Sequence, residues 1–537
     1  MIINRRVSWL LILFAWSILA SIVGRQDVFA LEPRPPGPDR YTGLTEKYTR
    51  YLWWLVSWSS NKVACLIEVE HEGLPTAGEV YAACGSTLYN QWIATQPCTV
   101  SSTDPQSCTG YYLHFVAAEE ASRQLVVPLP APVVWVSLEN CIPYASSHRC
   151  NDSPTLVLTG EEPLSGYSIL RLEGTIDDQP FVCDPICQVD LGPTDSDGML
   201  IQFWAYSSYG DSSQVFEARV RVSRSDDPAD TAWYVDVLST QWRGAPIAPC
   251  ALTWNQFPPV GGLTGWLSSP DTPQELASNI PYEYLAGNLI RSGVVDASAC
   301  TDGGLLENGY ASPCGSEIAR PAVEDWQNRF DDLIFSAAQE VGVPAQLLKN
   351  IFSRESQFWP GVTPQRPEAG LGQLTDNGAD TTLLWNRPFF EQFCPTVLDA
   401  STCQKGYPHL DEQKRAALRT ALVESVDAFC PDCPLGIDLE EAEASVTVFA
   451  ETLLAGCSQT GMVLDLNYPN PNPPPSYEDL WRFTLVNYNV GPGCLGLAVD
   501  ATAKSNQPLD WAHVATHFTP VCSSALDYVN DVTSSLP

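Results

Sequence analysis

The chain has 537 residues, room for about two or three domains, and carries 63 Asp and Glu against 28 Lys and Arg for a formal net charge of −35. Nucleic acid and anionic membrane surfaces both demand a basic footprint, so this balance excludes them as partners. Eighteen Cys fit an oxidising compartment, in which they pair with one another.

Arg5 and Arg6 precede an apolar run from Trp9 to Val23, and Val28-Phe29-Ala30 offers a small-residue cleavage site, so residues 1–30 read as an export signal. The other reading is an uncleaved anchor, since the run is long for a signal and short for a spanning helix. The first Cys is Cys65, so no lipid-accepting Cys follows the run, and nothing later resembles a second span. Residues 31–40 contain Pro33, Pro35, Pro36 and Pro38 and predict an extended tether. Residues 41–150 predict a Cys-containing α+β or mostly β region, with strands at Leu52–Val56, Ala64–Val69, Leu125–Val127 and Val133–Val136 and a helix over Glu79–Trp92. No motif there assigns a role.

From Pro154 short alternating strands separated by Gly, Asp, Ser and Pro clusters predict a β-sandwich over residues 151–225. The stretch Gln202-Phe203-Trp204-Ala205-Tyr206-Ser207-Ser208 with Gly210-Asp211 resembles the immunoglobulin-like repeats of bacterial surface proteins, which implies a spacer or binder. Residues 226–320 are rich in Pro and Gly and read as an irregular bridging segment. Eleven Cys precede Pro321 and seven follow it, both odd counts, so one bridge is expected to staple the last part to the bridging segment, with Cys300 or Cys314 as donor. Cys430-Pro-Asp-Cys433 has the spacing of a redox dithiol or half a zinc site, but no second pair accompanies it and it reads as a structural bridge. His513 and His517 read as partly exposed surface residues, and no metal or cofactor is expected.

Residues 321–537 show helical periodicity. The segment Val343–Ser356 has Pro344 near its start and apolar residues at 347, 348, 351 and 352, which predicts an amphipathic helix. Steps of four from Leu347 through Ile351 reach Glu355, whose carboxylate therefore shares the apolar face. Burial and the C-terminal end of the helix dipole both push its pKa upward, toward a protonated acid at neutral pH.

The residues around it carry a resemblance. Glu355-Ser356-Gln357-Phe358-Trp359-Pro360 resembles the ESxFxP signature of soluble lytic transglycosylases, Gly370-Leu371-Gly372-Gln373-Leu374 falls where their GLMQ motif belongs, and Asn487-Tyr488-Asn489-Val490-Gly491-Pro492-Gly493 resembles their AYNAGPG. Gly370 stands fifteen positions after Glu355, the usual spacing in this family. The likeness covers about residues 322–528, with an insertion at about 385–434. It implies an all-α, goose-lysozyme-like fold for residues 321–537, and hence a multidomain chain with a β-rich N-terminal region followed by a lysozyme-like catalytic domain.

The resemblance further implies an exported or envelope-associated bacterial enzyme that cuts the MurNAc-β-1,4-GlcNAc bond of peptidoglycan glycan strands and leaves 1,6-anhydromuramic acid ends. Glu355 would be acid and base, and Ser356 would steady it. Gln373 and Tyr488 would contact substrate or orient the Glu, and Asn489 would hold the loop or bind sugar. Gly370, Gly491 and Gly493 read as positions that let backbones approach closely. Two departures stand out, Gly372 for Met and Asn487 for Ala. Two alternatives stay open: a hydrolysing muramidase in which Glu368, Asp376 or Asp380 activates water, and an inactive wall-binding surface protein. Those three carboxylates otherwise read as solvated loop charges.

Overall fold

A computed structural model describes residues 40–95, 108–144, 147–225, 230–244, 247–260, 262–263, 265–360 and 368–534. The expected export signal, and the tether up to residue 39, lie outside the described residues.

Strand β1 (Tyr41–Ser57) pairs antiparallel along its whole length with β3 (Tyr111–Pro128), and its second half also pairs with β2 (Val63–Val69). Helix α1 (Ala77–Ile93) starts at a capping box, in which Thr76 and Glu79 satisfy each other's backbone N–H groups, and packs on this sheet. Trp53 and Leu55, on one face of β1, close on Ile67, Val69 and Val80, and the Cys65–Cys84 disulfide ties β2 to the helix.

The second sheet has eight strands: β4 (Val133–Tyr144), β5 (Ser147–Glu161), β6 (Ile169–Ile176), β7 (Gln179–Cys183), β8 (Ile186–Asp190), β9 (Met199–Ser207), β10 (Phe216–Arg224) and β11 (Trp233–Leu238). They run β4-β5-β11-β10-β9-β6-β7, and β8 also pairs with β5. Strand β5 changes partner along its length, from β11 at His148–Cys150 to β8 at Thr155–Thr159. The switch folds one hydrogen-bonded network around a single core that includes Val136, Leu158, Phe203 and Val220. The boundary expected at residue 150 therefore falls inside β5, and the sheet extends past residue 225 to Leu238. Arg40 directly precedes β1. Its guanidinium is buried, donating to Asp211 at 2.5 and 2.9 Å and to Glu162 at 3.0 Å.

The rest is helical: α2 (Pro249–Trp254), α3 (Glu283–Arg291), α4 (Pro313–Asn328), α5 (Asp331–Val341), α6 (Ala345–Ser356), α7 (Asp376–Trp385), α8 (Arg387–Phe393), α9 (Ala400–Cys403), α10 (Glu412–Glu424), α11 (Leu439–Asn467), α12 (Tyr477–Lys504), α13 (Trp511–Val514) and α14 (Ser524–Thr533). The bridging segment is not separate from this body, because Cys250, Leu276, Tyr282 and Leu285 are buried in the same core as α6 and α11. Arg221 clamps the second sheet onto it, pairing with buried Asp236 at 2.7 Å and donating to the Pro258 carbonyl at 2.5 Å.

No described cysteine is free. The staple expected between bridging segment and last part exists, but it is Cys250–Cys457, whereas Cys300 and Cys314 pair with each other. Cys430 pairs with Cys433, and Cys394–Cys403 and Cys494–Cys522 complete the helical body. Bridges in this number point to an oxidising compartment. Among the described residues no helix is long and apolar enough to cross a membrane.

Cys250–Cys457 closes a loop of 207 residues, the longest span of the described bridges. Replacing both residues by Ala should lower the helical body's stability by about 2–5 kcal/mol. Thermal melting under non-reducing conditions checks this, and an unchanged midpoint would mean that buried packing alone holds α2 against α11.

Candidate active site

Helix α6 is buried on nearly every side, more than an amphipathic pattern demands, with Leu347, Leu348, Ile351 and Phe352 in the core and Lys349 only 1% exposed. The Lys349 ammonium donates to the Leu276 carbonyl at 2.7 Å, to Asn328 at 2.9 Å and to Asp331 at 2.7 Å. Tyr282 and Ser353 share a hydrogen bond of 2.6 Å, and Asn350 donates to the Val532 carbonyl at 2.8 Å. Gln357 caps the helix in the left-handed conformation at φ 47°, and its side-chain oxygen accepts from the Tyr284 and Leu285 backbones at the start of α3.

Glu355 is the penultimate residue of this helix and is half-buried in the wall of a cleft of about 370 Å³. Burial pushes its carboxyl from an ordinary 4.5 up to about 7, opposed by the Tyr528 hydroxyl and the Arg354 charge and reinforced by the Glu368 carboxylate. The same carboxyl, with burial, holds the Tyr488 and Tyr528 phenols well above their usual range.

Around the carboxyl the structure brings together Gln373, Tyr488 and Asn489 from the expected set. Tyr488 and Tyr528 stack with ring centroids 6.4 Å apart, and the Tyr488 hydroxyl donates to the Gly372 carbonyl at 2.6 Å, tying the second motif to the third. The second motif is a tight turn, closed by paired hydrogen bonds between Ala369 and Leu374 at 3.0 and 2.7 Å. Within it Gln373 donates its side-chain amide back to the Gly370 carbonyl at 2.8 Å, so part of its hydrogen-bonding capacity is spent on the turn. Asn489 is exposed on the cleft rim. Ser356 does not reach the cleft, because it is buried and its hydroxyl donates to the Phe352 carbonyl of its own helix.

Helix α12 breaks at Gly491, with φ 84° and ψ 167°, and Pro492 starts its second half, so the third motif lies at a kink that turns its residues toward the cleft. Gly491 is therefore required for its conformation, and space around it is open. Gly493 meets neither condition, since its φ is not left-handed and nothing crowds it. Close approach belongs instead to Gly370, where a Cβ would stand 2.9 Å from the Val426 carbonyl, and to Gly372, where it would stand 2.5 Å from the Phe449 ring.

Of the three carboxylates read as solvated loop charges, only Glu368 lines the cleft. Asp380 accepts from the Tyr407 hydroxyl at 2.6 Å and pairs with Arg419 at 3.0 Å, while Asp376 is exposed at the start of α7. Sequence reasoning also missed Tyr528, Gln459 and Thr381, single residues on helices that bear no motif. His513 and His517 are engaged by Asp510 and Gln507 at 2.7 Å each, and no group of metal-ligating residues is found among the described residues.

Compared with protein-family models, curated proteins and solved structures, the chain matches none. The chemistry of the cleft must be argued from its own atoms. It combines one acid that is half protonated near neutrality, a second carboxylate, and polar walls of amides and hydroxyls suited to sugar hydroxyl groups.

Glu355 ionises near 7 in the folded chain and at an ordinary value when unfolded. A raised folded pKa contributes stability that is complete below the unfolded pKa and is lost as pH rises from about 4.5 through about 7. Removing the titration by Glu355→Gln should therefore raise stability relative to the parent at about pH 8, by at most on the order of 3 kcal/mol, with little gain at about pH 4. Denaturant unfolding at both pH values tests the sign, and an equal effect at both would refute a buried, proton-holding carboxyl.

Proposed function

We propose that the chain is an exported peptidoglycan lytic transglycosylase whose helical part has a goose-lysozyme-like fold and whose eight-stranded sheet is an immunoglobulin-like spacer or binder. One observation carries the proposal: a half-buried carboxyl with its pKa raised to about 7 stands where the three motif segments converge on a polar cleft.

The chemistry follows from that carboxyl. In its protonated form Glu355 donates to the glycosidic oxygen as positive charge grows at the anomeric carbon. The substrate's N-acetyl oxygen covers that carbon, in the manner of substrate-assisted glycosidases. The Glu355 carboxylate then takes the proton of the sugar's own 6-hydroxyl, whose oxygen bonds to the anomeric carbon and displaces the acetamide, closing the 1,6-anhydro ring. Tyr488 and Tyr528 exclude water from the flank of the carboxyl, and Glu368 raises its proton affinity.

A second reading has an observation of its own. Glu368 shares the cleft with Glu355, so a muramidase in which Glu368 activates water is favoured over one that uses Asp376 or Asp380. The two readings differ in product.

Purified protein acting on intact peptidoglycan should release fragments ending in 1,6-anhydro-N-acetylmuramic acid, each lighter by one water than its hydrolysed counterpart. Glu355→Gln should abolish release without unfolding the chain, and the parent's rate should fall as pH rises through about 7, where the acid form is lost. Mass spectrometry of the products decides. Reducing-end muramic acid as the main product, with activity lost in Glu368→Gln, would move the protein to the hydrolases. Binding to wall without any release would leave only a wall-binding role.

A further inference from the structure

Helix α7 borders two depressions. Asn377 and Thr381 line the cleft, while Leu384 lines a second pocket of about 650 Å³. Spaced i, i+4 and i+7, the three positions fall on one stripe of the helix, and Leu384 stands only about 4.5 Å beyond Thr381 along the axis. The second pocket thus adjoins the cleft along this helix, one turn further on, with Gly378 facing only the cleft and Leu383 only the second pocket.

The two walls differ in charge. The cleft holds the carboxylates Glu355 and Glu368 and no Lys, Arg or His. The second pocket gathers Arg387, Lys405 and His409 against a single acid, Glu391, in a chain where acids outnumber Lys and Arg 63 to 28. Arg387 and Glu391 pair at 2.6 Å and cancel, whereas Lys405 and His409 are exposed and take part in no ion pair among the described residues. The apolar walls are fixed: Phe390 and Tyr407 are buried with ring centroids 5.8 Å apart, Asp380 accepts the Tyr407 hydroxyl, and the Cys394–Cys403 bridge braces the rim. Apolar walls beneath a basic rim suit short aliphatic side chains and a free carboxylate, and offer little to an uncharged sugar.

We infer that this pocket binds an acidic peptide, namely the carboxylate-bearing peptide substituent of the glycan strand whose sugars occupy the cleft. The identity of the strand rests on the proposed function; the site itself rests on the helix that borders both pockets and the reversal of charge.

The test compares peptide-bearing glycan strands with strands stripped of peptide by an amidase. Lys405→Glu should raise KM on the peptide-bearing strands about three- to tenfold and leave kcat unchanged. It should leave both constants unchanged on stripped strands, Lys405→Gln should fall between, and added salt should shrink the difference. No change on either substrate, or the same change on both, would overturn the inference. If the wild-type protein cleaves neither substrate, the transglycosylase reading fails separately, and titration with a synthetic tripeptide carrying two free carboxylates still decides the site. Saturable binding that Lys405→Glu abolishes supports it. No binding, or displacement by glycerol phosphate and not by the tripeptide, overturns it.

Discussion

Glu355 holds its proton near neutrality because helix α6 has nowhere else to put it. The helix is fixed from several directions at once, by the Lys349 ammonium in the core, by Asn350 on the Val532 carbonyl, by Tyr282 on Ser353 and by Gln357 on the start of α3. None of these contacts touches the carboxyl, yet together they forbid the small rotation that would carry it into water. A Glu one turn from solvent relieves its desolvation by moving unless its backbone cannot. The buried Lys349–Asp331 pair is itself costly to desolvate, so its value lies in the single geometry it permits for α6 rather than in stability.

Positions 372 and 487 are both constrained by α11. Gly372 has no room for a side chain, because the Phe449 ring of α11 lies where a Cβ would project, and that ring packs edge-on against Phe352 at 5.7 Å beneath Glu355. A larger residue at 372 would displace the ring and with it the wall behind the acid. Asn487 is buried and its amide donates to the Gly456 carbonyl at 3.2 Å and to the Gln459 side chain at 3.0 Å, tying α12 to α11. Both positions thus pack on α11, the helix that Cys457 staples to α2.

Much of the site could be read from the sequence, because its main parts are contiguous. The apolar steps at 347, 348, 351 and 352 already place Glu355 on an inward face, and the turn and the kink each lie within seven residues of chain. Tyr528, Gln459 and Thr381 escaped notice because each is one residue delivered by packing from a helix with no local signature, and nothing local singled out Glu368 from Asp376 and Asp380. The Cys parity required a bridge across Pro321, but parity names no partner, and the donor proved to be Cys250 rather than Cys300 or Cys314. The sheet boundary was misplaced at residue 150 because β5 changes partner around Asn151–Pro154, where a turn-rich sequence mimics a linker while the strand continues. The bridging segment looked irregular since its helices are short, yet Leu276, Tyr282 and Leu285 supply a cradle for α6 that no periodicity announces.

The β-rich region and the cleft are mechanically connected by buried charge. Arg40 is held between Glu162 and Asp211 beside the eight-stranded sheet, and Arg221 of that sheet, paired with Asp236 on the neighbouring strand, donates to the Pro258 carbonyl of the helical body. Arg219 extends this contact, donating to the Asn255 carbonyl at 2.5 Å, and the guanidinium of Arg221 lies 4.8 Å above the Phe257 ring. Apolar contacts would hold two surfaces together at many angles, but a buried guanidinium tolerates few, since any slip leaves a charge unpaired away from water. The eight-stranded sheet is therefore held at a fixed orientation to the helical body that carries Glu355.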